Sequence, residues 1–203
     1  MSRPPGRVRR DGFAAMMLFL GAPFGALFLG ALAHPAGLLD SEEEVIARTG
    51  RWRTLAEEAA AGAGVPVDLL LALVATESSG RERATNDLGA AGLTQVMPGT
   101  AADVASWLGL PEDGSVDPFE PEVNLRLGAT YLGRQLRDFG GDVPLALAAY
   151  TAGPSRVATW KRGSPGSSGE TLVRDCASPR VRAYVEKVLE RRARFAPPPG
   201  RPR

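Results

Sequence analysis

The chain has 203 residues, 44% of them apolar, and a formal net charge of +1, which is enough apolar content for one packed domain with appendages and excludes wholesale disorder. Residues 1–33 hold four of the 24 basic residues and one of the 23 acids, so the remainder carries a net of −2 and offers no electrostatic footprint for DNA or RNA. One Cys, Cys176, excludes an intrachain disulfide, and one His, His34, excludes a Cys/His zinc site of three or four ligands.

Residues 13–33, FAAMMLFLGAPFGALFLGALA, contain no charge and follow Arg3, Arg7, Arg9 and Arg10. As a helix they would span roughly 30 Å, the thickness of a bilayer's hydrocarbon core. The arginine flank would stay cytoplasmic and the remainder would face outward. Ala31-Leu32-Ala33 also fits a small-x-small cleavage site. Residues 1–33 are therefore expected to be a signal peptide or a signal anchor. Either one exports the rest to the periplasmic or cell-wall side, secreted after cleavage or tethered to the inner membrane through 13–33. A buried core helix is the weaker reading, because the segment is apolar all round and flanked by basic residues.

Residues 34–50 read as a tether with a short acidic helix, in which Ser41 and Glu44 form a capping-box pattern. His34 falls in this tether, so neither Ser-His-Asp nor Cys-His chemistry is expected. Any catalysis must use carboxylates, hydroxyls, amides, Lys or Arg, and neither metal nor cofactor is expected.

The domain is expected over 51–195. Trp52, Leu55, Ala56 and Ala59 follow helix spacing until Gly62-Ala63-Gly64 breaks the pattern. Pro66 opens the next helix, which runs to about Ser78 and stops at Gly80. Residues 80–97 read as a loop with at most a small hairpin. Pro98 begins a helix with Ala101, Val104, Ala105 and Leu108 inward. Asp117-Pro118 reads as a cap and helix start, followed by the stripe Leu125, Gly128, Leu132, Leu136 and Phe139 up to Gly140-Gly141. Pro144 to Tyr150 is a short apolar helix. Lys161 to Pro179, rich in Ser, Gly and Pro, is expected to be mobile. A last amphipathic helix carries Val181, Tyr184, Val185, Val188 and Leu189, and the tail 196–203 is expected to be disordered. The fold class is mainly α.

Glu77 raises the chemical question. From Val65 to Ala75 the only charge is Asp68, and Leu69, Leu73 and Glu77 share a face at i, i+4 spacing. Desolvation and the negative end of the helix dipole both disfavour an ionised carboxyl there, and a neutral glutamic acid can act as a general acid. On the eight residues LVATESSG (73–80) alone, a side chain reaching past the helix end into solvent is the simpler reading.

The wider pattern changes that balance. LVATESSG is followed by GAAGLTQVMPGTA (89–101), EVNLRLGATYL (122–132) and ALAAYTAGP (146–154), with a weaker echo in Arg182-Ala183-Tyr184-Val185. In order and spacing these resemble the motifs of the soluble lytic transglycosylase family, peptidoglycan-cleaving enzymes with a lysozyme-like helical fold; the match runs from about Val65 to Trp160. The resemblance implies that Glu77 is the lone acid/base. It would protonate the oxygen leaving C4 of N-acetylglucosamine, then deprotonate the C6 hydroxyl of N-acetylmuramic acid to give a 1,6-anhydro end. Ser78 would orient the N-acetyl group, or as a helix-end hydroxyl bond a backbone carbonyl. Gln95 would bind sugar, with Gly89 and Gly92 letting its loop approach the ligand. Tyr150 would lie across the cleft with its hydroxyl near Glu77; without the resemblance it reads as a core residue. Met97 would pack beside the groove or line it. Tyr131 is expected in the core, and Trp107 and Trp160 as scaffold. The sequence departs from the family pattern at Thr94, where Met is usual, and at Thr151, where Asn is usual, which puts the reach of Thr151 to an N-acetyl group or peptide stem in question.

Two other functions stay open on the sequence alone. A hydrolytic muramidase would need a base or nucleophile opposite Glu77; Asp87 is nearest in sequence but reads as a polar turn residue in NDLG. A non-catalytic peptidoglycan-binding module would not require Glu77. The expected partners are peptidoglycan glycan strands, either in general wall turnover or in local opening for a cell-envelope secretion or conjugation assembly.

Overall fold

The computed structural model describes residues 40–111 and 115–197, so the apolar segment 13–33 and most of the expected tail lie outside the described residues. Among the described residues there are nine α-helices and no named strand. They are α1 Glu42–Gly50, α2 Arg53–Ala63, α3 Val67–Ser78, α4 Pro98–Trp107, α5 Pro121–Asp138, α6 Val143–Ala152, α7 Pro154–Gly163, α8 Gly169–Cys176 and α9 Pro179–Phe195.

Helix α3 is the axis of the fold. Its run from Leu69 to Ala75 is apolar on every face, and a helix of that kind can only sit inside. Every residue of the run is fully buried, and α1, α2 and α9 pack directly around it. Each leucine side chain removed from water there contributes about 1.5–3 kcal/mol. Helix α5 lies across α2, α6 packs on α5, α8 and α9, and a smaller core of Val96, Val104, Ala105 and Leu127 joins α4 to α5. Among the described residues no single helix is long and apolar enough to cross a membrane.

Three segments differ from the sequence expectations. The expected tether contains α1, which starts at the anticipated capping box, with Ser41 Oγ accepting from Glu44 N and the Glu44 carboxylate accepting from Ser41 N. Yet α1 is no free linker: Val45 and Thr49 are buried, and the helix packs on α3 and α9. The stretch expected to be mobile holds the end of α7 and all of α8. Its Ser168 caps α8 at Thr171 N, Leu172 and Val173 are buried, and Asp142 accepts from Leu145 N through Oδ1 and from Gly169 N through Oδ2, both at 3.0 Å. One carboxylate thus satisfies first-turn N–H groups of both α6 and α8. Helix α5 begins at Pro121 rather than beside Pro118, because Asp117 Oδ1 accepts from Phe119 N and closes a turn before the helix.

The loop between α3 and α4 is close to the expected form. Two isolated antiparallel bridges, Thr85 to Ala91 and Ala91 to Val96, fold it on itself. Asn86 Oδ1 accepts from Leu88 N and Ala90 N and makes the turn in which Asp87 stands exposed.

Candidate active site

Glu77 occupies the last turn of α3, and the left-handed residue Ser79 (φ 54°) ends the helix. The glutamate keeps part of its surface accessible while protein crowds its carboxyl, and desolvation pushes its pKa up to about 8. The hydroxyl of Tyr184, on α9, donates to Glu77 Oε1 at 2.6 Å. That bond favours the ionised form and opposes the shift, but desolvation is the larger effect. With Tyr184 on Oε1, the proton of the neutral acid belongs on Oε2, the oxygen left to meet a substrate.

Tyr150 stands nearby on α6. Its pKa is raised well above the ordinary tyrosine value, first by burial and then by the charge of Glu77. Its hydroxyl donates to Thr94 O at 2.9 Å rather than to Glu77, and its ring lies 5.2 Å from that of Tyr131 at 59°. The hydroxyl on the glutamate is therefore that of Tyr184. Sequence reasoning placed Tyr184 on the apolar stripe of the last helix and went no further. The available signals were the Arg-Ala-Tyr-Val echo and the need of a buried tyrosine hydroxyl for a partner.

The remaining expected residues fall into two groups. Ser78 is buried and its Oγ donates to Val74 O at 3.1 Å, the local helical bond. Gln95 has left-handed backbone (φ 49°), and its Nε2 donates to Ala84 O and Gly92 O at 2.9 Å each, so both amide hydrogens serve the loop and Oε1 is the atom free to receive a ligand donor. Thr151 and Met97 are half-buried, the first beside Tyr150 on α6 and the second at the N-cap of α4. Trp107 is exposed with the Arg134 guanidinium 4.2 Å above its ring, and Trp160 packs against the core.

Thr94 is an interior node. Its N–H and Oγ1 both donate to Asn124 Oδ1, at 2.8 and 2.7 Å, while Asn124 Nδ2 donates to Ala91 O at 2.9 Å and Pro118 O at 2.7 Å. A Cβ at Gly128 of α5 would lie 2.4 Å from the Thr94 side chain, and one at Gly92 would lie 2.3 Å from Asn124 Nδ2. The close approach at Gly92 (φ 75°) is thus made to Asn124. Thr94 tethers the Gln95 turn to α5 and accepts from Tyr150 at the same residue.

The Transglycosylase SLT domain family matches residues 54–173, more than half of the chain. The chain belongs to this family. The SLT domain here is similar to the soluble lytic murein transglycosylase of Salmonella typhimurium, 34% identical over 130 residues, which are 63% of this chain and 20% of that protein. It is 36% identical over 92 residues to the endo-type membrane-bound lytic murein transglycosylase A of Klebsiella pneumoniae, covering 44% of this chain and 45% of that one. A solved structure of an inactive Glu-to-Gln mutant of the lytic transglycosylase Slt from Pseudomonas aeruginosa superposes with a TM-score of 0.66 at 31% identity, over 70% of this chain and 23% of that one. This chain therefore spans about a fifth of the soluble relative's length. The fold is the lysozyme-like helical fold of SLT domains, as the motif resemblance implied.

Proposed function

We propose that this SLT domain is a peptidoglycan lytic transglycosylase that cuts the β-1,4 bond between N-acetylmuramic acid and N-acetylglucosamine without water. The observation carrying the proposal is Glu77, a part-accessible residue whose crowded carboxyl is raised to about 8 and held by the Tyr184 hydroxyl at 2.6 Å. At neutral pH it carries a proton. Transfer of that proton to the glycosidic oxygen lets the C1–O4 bond break and leaves Glu77 ionised. The carboxylate then takes the proton of the C6 hydroxyl as that oxygen closes on C1. The 1,6-anhydro ring forms and Glu77 is neutral again, so one acid serves both steps. Tyr184 acts in both, accommodating the neutral acid and stabilising the carboxylate between steps.

Support comes from the family, from the names of the relatives as lytic murein transglycosylases, and from the inactive Glu-to-Gln mutant of the Pseudomonas enzyme. Gln95 Oε1, Thr151 and Met97 are proposed to contact sugar. Ser78 Oγ, held on Val74 O, would reach an N-acetyl group only through its remaining acceptor capacity. The proposed setting is the cell envelope, with export through residues 1–33. Asp87, exposed in an Asn86-closed turn, gives no specific support to a hydrolytic second carboxylate. Mass spectrometry of digested glycan tests the reading: anhydro ends from the wild type and none from Glu77→Gln are expected. Hydrated products, or equal activity in Glu77→Gln, would overturn it.

A further inference from the structure

The end of α3 is short of backbone partners. Its C-cap residue Ser79 returns no backbone N–H to the helix, whereas Gly64 does so for α2 and Gly153 for α6. Arg81 N donates to Ser78 O at 3.1 Å, and other carbonyls at this end are met by side chains remote in sequence. Arg191 Nη1 donates to Ala75 O at 2.5 Å, Arg48 Nη1 to Ser79 O at 3.0 Å and Trp52 Nε1 to Gly80 O at 2.9 Å. Together they span the turn that carries Glu77. Each arginine is itself held: Arg191 by Glu42 through two bonds of 2.8 and 2.9 Å, and Arg48 by Asp40, which also pairs with Arg81. Thr49 of α1 sits so close that a Cβ on Gly80 would meet its Oγ1 at 2.8 Å.

All three donors lie outside the stretch 54–173 that matches the SLT family. We infer that Arg48, Trp52 and Arg191 are positioning residues, a clamp supplied by α1, the α1–α2 junction and α9 that fixes the turn after α3 and so keeps Glu77 aimed and dehydrated. The inference rests on the reading of Glu77 as the acid. Two guanidinium groups at a helix C-terminus also oppose its negative dipole end. Without them the turn at Ser79, a non-glycine residue in left-handed backbone, loses the contacts that over-determine it. The last turn can then fray and water reach the carboxyl.

The direction of the pH effect follows from the groups around Glu77. Tyr184 and Tyr150 face it as neutral hydroxyls. Of the charged groups at the turn, Arg191 is balanced by Glu42 and Arg48 by Asp40. If Arg191 is removed, Glu42 still has Lys187 at 3.3 Å; if Arg48 is removed, Asp40 still has Arg81. Burial and the Tyr184 bond, not the charge of either arginine, set the Glu77 pKa, so hydration decides the direction. The Glu77 pKa falls from about 8 toward its ordinary value of 4.5. A general acid works while protonated, so the alkaline limb of the rate profile moves to lower pH.

The test uses the full chain carrying Arg48→Ala, Trp52→Phe, Arg191→Ala or Arg191→Lys. Two quantities are read: the pH dependence of glycan cleavage, and the titration of the Glu77 carboxyl carbon by NMR, with its resonance assigned from its loss in Glu77→Gln. Arg48→Ala and Arg191→Ala should lower kcat about tenfold with KM within twofold, since a small misplacement of a reacting group costs one to two orders of magnitude in rate. Both should lower the Glu77 midpoint by at least one pH unit, with Trp52→Phe intermediate and Arg191→Lys recovering part of the loss. Wild-type kcat and an unmoved midpoint with only a lower Tm would overturn the clamp. Should Arg191→Ala not fold, Arg48→Ala and Trp52→Phe decide the matter by the same two readouts. Activity retained in Glu77→Gln would sink the functional reading alone, because the NMR midpoint reports on the clamp without any turnover.

Discussion

Tyr184→Phe probes the acid most directly. The ring is buried on α9, so phenylalanine keeps the packing and removes only the hydroxyl that donates to Glu77 Oε1 at 2.6 Å. A hydrogen bond to a charged group contributes roughly 1.5–3 kcal/mol, which corresponds to about one to two pKa units at 1.36 kcal/mol each. The bond lowers the Glu77 pKa against the larger effect of burial, so its loss raises a value already near 8. At pH 7 Glu77 stays protonated in both proteins and the first proton transfer survives. The carboxylate left after that transfer has lost its donor, so kcat should fall by about tenfold or more, in line with roughly 1.4 kcal/mol or more of lost stabilisation. The assay is the pH dependence of kcat and kcat/KM for anhydro-end formation between pH 5 and 10. The alkaline limb should move upward while kcat drops. An alkaline limb that stays in place, or moves to lower pH, would refute the assignment of Tyr184 as the group that sets the state of Glu77.

Glu77→Gln should make the protein more stable at alkaline pH. A carboxyl raised to about 8 from 4.5 binds a proton in the folded chain that the unfolded chain has released, so stability falls as pH rises from 4.5 to 8. Glutamine removes that penalty; calorimetry should find a stability gain at pH 8, on the order of 4 kcal/mol, and none at pH 4. Asn124→Ala should cost about 2–4 kcal/mol in urea unfolding, because it strands Thr94 N, Ala91 O and Pro118 O in a buried network at once.

The sequence made the helix that carries Glu77 legible because its signals are local. An unbroken apolar run, Pro66 before it and Gly80 after it predict α3 closely, and i, i+4 spacing from Leu69 and Leu73 puts Glu77 on an inward face. Chain order alone could not bring α9 to Glu77, since Tyr184 lies 107 residues away and looks like any other apolar stripe position. The same reason hides the roles of Arg48 and Arg191, whose backbone acceptors at the end of α3 lie 31 and 116 residues away. Composition misled at α8: Ser, Gly and Pro predict a mobile segment, but Ser168 and Gly169 serve as a helix start once Asp142 is in reach. At Ser78 and Gln95 the residue type was informative about hydrogen bonding but silent about direction, and both spend donors on backbone carbonyls of their own neighbourhood.

Helix α9 lies against α3 from the far end of the chain and brings the phenol that Glu77 needs. A nascent or proteolysed polypeptide ending anywhere before residue 184 would leave the central helix bare on one side and its glutamate without that donor. If Glu77 is the acid proposed above, the site is finished only when residues 107 positions apart have met, which ties the hazard of cutting a wall to the late stages of folding.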